Sequence, residues 1–186
     1  DRHEKSGTPV SASLIASFIE HAGASKIITV DIHSRIENDM IKIPLVDLSA
    51  NRYLVQFLKS QYKDIKNLVV ASPDKGGILR ATSFAKLLNV SDVAIIYKER
   101  DIQKENISRA VKLVGNVAGK DVLIVDDMID TGGTLIGALE LLKKSGAKNV
   151  YATATHGIFS GSAMERIRDS SIKEIFVTDT VPQRSS

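Results

Sequence analysis

With 186 residues, 43% hydrophobic and 25% charged, the chain has the make-up of one globular domain, or one domain and part of a second. The absence of cysteine excludes disulfides, thiolate catalysis and Cys-ligated zinc, and no apolar run approaches the roughly 20 residues of a membrane-spanning helix. A net charge of +3 favours small anionic partners; an aromatic content of 5% without a basic stripe argues against nucleic acid.

The chain opens on the charged run 1–5 with no initiator Met, which is read as a fragment or a trimmed chain. An amphipathic stretch, 11–21, leads to the β-branched run 26–31 (KIITVD). Pro44, before Asp47, is the expected domain boundary, with 1–47 the remnant of one domain and 48–186 a second. The segment before it holds one helix and one strand, too little to bury a core alone. Helical spacing then covers 51–61, 77–88, 134–144 and 161–169. Between these lie the short runs 67–72 (NLVVAS), 93–97 (VAIIY), 121–126 (DVLIVD), 149–155 and 174–178. Each run is nearly continuous in apolar residues, as suits strands buried on both faces of a parallel sheet. The alternation predicts an α/β three-layer sandwich with a mostly parallel sheet and right-handed crossovers. Residues 99–109 are polar and aperiodic and predict a long mobile loop.

The chemistry concentrates in DVLIVDDMIDTGGTL, where a strand runs into acids and then a Thr-Gly-Gly-Thr turn that opens a helix. Gly132 and Gly133 let backbone amides crowd an anion, and the helix near Thr134 adds its N-terminal dipole. Thr131 and Thr134 contribute hydroxyl donors. Asp126 and Asp127 cannot serve a phosphate, because like charges repel. They suit the hydroxyls of a sugar, or a magnesium ion upon it. An anion cradle with acids one turn upstream therefore predicts a phosphorylated polyol. Asp31 and His33 (VDIHS) stand two apart after a strand, a spacing that on an extended chain aims both at one ion or nucleotide. His156 follows a strand and has no assigned role.

The string VDDMIDTGGTL is similar to the phosphoribosyl pyrophosphate (PRPP) fingerprint that type I phosphoribosyltransferases and PRPP synthases share. Further segments resemble the ribose-phosphate pyrophosphokinase (PRPP synthase) family alone: VDIHS, SPDKGGILRA, YKER, THGIFSG and VTDTVP. The resemblance covers nearly the whole chain and implies a type I phosphoribosyltransferase-like fold. The implied reaction passes pyrophosphate from ATP to ribose 5-phosphate, giving PRPP and AMP for nucleotide biosynthesis. Residue by residue it implies that Asp126 and Asp127 contact ribose hydroxyls while Asp130, Thr131, Gly132, Gly133 and Thr134 wrap the 5-phosphate. His33 and Asp74, with Asp31, would contact Mg2+ and ATP, and Lys98 and Arg100 would be catalytic, neutralising the pyrophosphoryl group in flight.

It further implies a cytoplasmic homo-oligomer that binds neither nucleic acid nor membrane. The family's nucleotide-binding Arg-Gln is not in this chain, so the 186 residues alone are expected to turn over poorly. Two departures stand out. The family's Lys-Arg-Arg is Lys98-Glu99-Arg100 here, and its Gly-Phe-Phe-Asp run is replaced by Asp39, Met40, Ile41 and Lys42. The alternatives are a PRPP-consuming phosphoribosyltransferase, which leaves Asp31, His33 and the 72–81 segment without purpose, and a non-catalytic regulatory relative.

Overall fold

The computed structural model describes residues 11–33, 41–62, 67–99 and 110–183. The chain divides into two compact units, Asp1–Ala50 and Asn51–Ser186. In the first, α1 (Ser11–His21) precedes two parallel strands, β1 (Ile27–Val30) and β2 (Leu45–Leu48), with Ile27 opposite Leu45 and Val30 opposite Leu48. Periodicity did not predict β2, which has only four residues and carries Asp47 in its middle.

The second unit contains α2 (Asn51–Gln61), β3 (Leu68–Ser72), α3 (Ile78–Leu88), β4 (Val93–Glu99), β5 (Ala110–Val114), β6 (Asp121–Ile129), α4 (Gly133–Lys144), β7 (Asn149–Gly157), α5 (Ala163–Arg168) and β8 (Ile175–Val177). Its six strands run in the order β5-β4-β3-β6-β7-β8, every neighbouring pair parallel except β4 and β5. This is the expected α/β three-layer sandwich with a mostly parallel sheet. The crossover from β3 to β4 runs one way from the centre of the sheet and that from β6 to β7 runs the other. Right-handed connections therefore put α3 and α4 on opposite faces. Side-chain alternation matches this. Val69, Ala71, Val122 and Ile124 share a cluster with Leu135, Leu139 and Leu142 of α4, whereas Phe84 and Ala81 of α3 lie outside it.

Two expectations need correction. Lys98 is not at the start of a loop, because β4 continues to Glu99 and pairs antiparallel with β5, Lys98 opposite Val111. Residues 100–109, the rest of the expected loop, lie outside the described residues, Arg100 among them. The strand with the acids also runs on past Asp126 to Ile129, with Met128 opposite His156 and Ile129 opposite Gly157.

Candidate sugar-phosphate site

The strand order reverses between β3 and β6, whose following helices leave in opposite directions. In open α/β sheets a ligand crevice forms beyond the carboxyl ends of such strands. Here that place joins Ser72, Asp74 and the start of α3 to Asp126, Asp127 and the start of α4.

Residues 130–132 turn the chain from β6 into α4. Gly132 is buried at φ 76, a left-handed conformation that disfavours any Cβ, and it is the residue from which α4 begins. Gly133 is different, since an added Cβ would come only within 3.9 Å of Thr131 Oγ1. Any need for glycine at 133 therefore comes from what approaches the loop. The carbonyls of the loop are tied down on one side. Ile129 O accepts from the amides of Ile158 and Phe159 (both 3.0 Å), and Asp130 O accepts from Ser160 N (3.1 Å). Thr131 O receives the Arg166 guanidinium at 3.4 Å. In a planar trans peptide the N–H points opposite to the C=O, so the amides of residues 130–132 face away from these anchors. Among the described residues no side chain caps α4. The amides at the helix start thus keep their donors for an anion, and the dipole favours one.

The two acids differ in their surroundings. Asp126 is about a quarter exposed (25%), whereas the side chain of Asp127 is almost fully buried (4%). Arg80, on the first turn of α3, spans both: Nη1 lies 3.2 Å from Asp126 Oδ1 and Nη2 lies 3.2 Å from Asp127 Oδ2. Asp126 Oδ1 also accepts Asp127 N (2.9 Å), and Asp127 Oδ1 accepts Met128 N (3.0 Å). A buried carboxylate is tolerable with such bonds and a cation. Burial is the main force on Asp126, and the neighbouring Asp127 adds to it, so its pKa rises from 3.8 to about 7 against the opposing pull of Arg80. The sequence reading did not single out Arg80. The signal was its place in SPDKGGILRA, six residues after Asp74.

The remaining expected residues are distributed as follows. Asp74 is exposed, and its Oδ1 accepts Gly77 N (3.1 Å) at the entry to α3. Asp31 and His33 belong to the first unit. The extended chain ends at Val30 and Asp31 takes φ 43, so the two-residue alternation that would aim Asp31 and His33 together does not apply. Asp31 Oδ2 accepts Ala50 N (2.9 Å). Lys98 lies in β4. Among the described residues no three His, Asp or Glu side chains converge on an ion. Magnesium does not require such a cage, since it keeps waters and takes one or two carboxylates together with substrate phosphates, and an exposed Asp74 fits that habit. A separate apolar cleft, lined by Leu58, Tyr62, Leu88, Leu123, Tyr151 and Phe176, lies toward the opposite ends of the strands and has no convergent cations. No helix among the described residues is long and apolar enough to cross a membrane.

The fold and the glycine loop define the class as phosphoribosyltransferase-like. A purine phosphoribosyltransferase from Pyrococcus horikoshii superposes on 69% of this chain and 79% of its own, with TM-score 0.50 and 20% identity, a likeness of fold alone. Residues 102–186 match the phosphoribosyl synthetase-associated domain. A phosphoribosylpyrophosphate synthetase from Mycobacterium smegmatis matches 98% of this chain and 57% of its own at TM-score 0.87 and 36% identity. The ribose-phosphate pyrophosphokinase of Pasteurella multocida is 41% identical over 183 residues, which are 98% of this chain and 57% of that protein. The chain is thus similar to ribose-phosphate pyrophosphokinases along nearly all of its own length, and spans a little over half the length of the relatives it matches.

Proposed function

We propose that the chain carries the ribose 5-phosphate half of a ribose-phosphate diphosphokinase, an enzyme that moves pyrophosphate from ATP to ribose 5-phosphate and releases PRPP and AMP. The observation that carries the reading is the loop 130–134, with its carbonyls anchored to 158–166, its amides turned the other way and an uncapped helix behind them. In this reading Asp130, Thr131, Gly132, Gly133 and Thr134 hold the 5-phosphate. Asp126, the accessible acid, accepts ribose hydroxyls with Asp127 behind it.

Transfer of this kind is governed by positioning and charge neutralisation more than by covalent chemistry. Lys98 and Arg100 are assigned to the charge that builds on the transferred group. Asp74, with Asp31 and His33, is assigned to magnesium. The bound ion would supply neutralisation of the ATP phosphates. A cytosolic homo-oligomer, and a domain division between residues 47 and 48, complete the proposal.

Titration of the chain with ribose 5-phosphate in a calorimeter tests it. Saturable binding is expected, with ribose itself inert and Gly133→Asp abolishing the signal, because that variant puts a carboxylate where the phosphate sits. Equal binding by Gly133→Asp would place the phosphate elsewhere. In a full-length enzyme that contains this chain, ATP, magnesium and ribose 5-phosphate should yield AMP, whereas pyrophosphate formed from PRPP and a base would instead make that enzyme a transferase.

A further inference from the structure

We propose that Arg80 is a positioning residue for the sugar, whose guanidinium bridges Asp126 and Asp127 and holds the pair as hydrogen-bond acceptors for the ribose hydroxyls. The inference rests on the reading of this loop as the sugar-phosphate site. Two adjacent acids, one of them buried, repel each other and resist ionisation. With no cation between them, one would keep its proton and offer a donor where the sugar needs an acceptor. A planar fork works against both effects, since each of its two arms lies 3.2 Å from one carboxylate.

The placement of the arginine is itself built. The fully buried Ser72 donates from Oγ to Asp74 O at 2.7 Å, and Asp74 Oδ1 accepts Gly77 N at 3.1 Å, which pins the entry of α3 to the end of β3. Ala81 N bonds Gly77 O at 2.9 Å, so the helix is already formed where Arg80 leaves it. A Cβ on Gly77 would stand 2.7 Å from Ser72 Oγ and 3.8 Å from Arg80 Nη1. The glycine is therefore needed for this close approach. The segment from Ser72 to Arg80 acts as a bracket that delivers one guanidinium to two adjacent acids, the nearer 46 residues further along the chain. The charged groups acting on Asp126 among the described residues are Asp127 of its own strand and Arg80 of α3, while its register neighbour on β7 is Ala154. Arg80 opposes the upward pull of burial on Asp126.

The experiment compares Arg80→Gln, Arg80→Lys and Asp126→Asn in the full chain. Ribose 5-phosphate affinity is measured by calorimetry across pH, and circular dichroism melts verify folding. Arg80→Gln should bind about tenfold more weakly, the scale of a lost hydrogen bond to a charged group, and its pH midpoint for binding should move upward. Arg80→Lys should fall between, with its midpoint close to the wild type, because charge is kept and the fork is lost. A purely structural role would not move the midpoint. A folded Arg80→Gln protein with unchanged affinity and midpoint, beside an Asp126→Asn protein that no longer binds, overturns the role of Arg80 and leaves the site standing. Undiminished binding by Asp126→Asn sinks the assignment of the acids and this inference with it. If Arg80→Gln does not fold, Arg80→Lys decides: wild-type affinity in that variant shows that the fork contributes nothing.

Discussion

Asp126 shows how far one residue can be read from sequence. Its type and its place before the glycines announced an acid for a sugar, but its ionisation depends on burial and on Asp127 and Arg80, which only packing creates. An acid whose pKa rises from 3.8 to about 7 on folding binds its proton more tightly folded than unfolded. Below the lower value both states are protonated and the effect vanishes. As pH climbs from there to about 7 the unfolded state loses the proton first, so stability falls, and above about 7 the full cost remains. Asp126→Asn should therefore melt above the wild type near pH 8, with the difference shrinking as pH falls toward 4. A difference that does not change with pH would contradict the burial argument. The two glycines divide in the same way. Gly132 answers to the backbone through its φ of 76, while Gly133 has room for a Cβ and is under no such backbone demand.

Among the elements, the helices were the most legible, with 11–21 and 51–61 emerging with the bounds that periodicity set. The parallel strands were nearly as plain, because burial on both faces writes continuous apolar runs such as Val69, Val70 and Ala71. The strand β5 escaped notice. It is an edge strand following a polar stretch, and Lys112 interrupts its apolar residues. Its existence also changes the setting of Lys98, which sits in a ladder instead of a loop. On the face opposite α4, Phe84 is fully buried. Truncation to Phe84→Ala should cost about 3–5 kcal/mol, while Phe84→Leu should cost less, because the smaller change leaves a smaller cavity. Urea unfolding monitored by circular dichroism would check this, and equal midpoints for the alanine variant and wild type would show that the α3 face does not pack as described.

At the scale of the whole molecule, the two units differ in how well they cover themselves. The second buries a continuous core, whereas α1 leaves Leu14, Ile15 and Phe18 exposed, Phe18 at 59%. Apolar surface grouped in this way promotes association. The average mass by light scattering should rise with protein concentration, and Phe18→Lys should reduce that rise; indifference to the substitution would mean that association uses another face.

Local pattern by itself determined the alternation of strands and helices, the glycine turn that opens a helix and the likeness to one enzyme family, because periodicity, glycine and acid placement are properties of short segments. Only the tertiary structure decided that β3 lies beside β6. Strand order follows from how crossovers pack on the sheet, which no local period encodes. That neighbourhood brings Arg80 to Asp126 and Asp127, and it turns two repelling acids into one bridged pair.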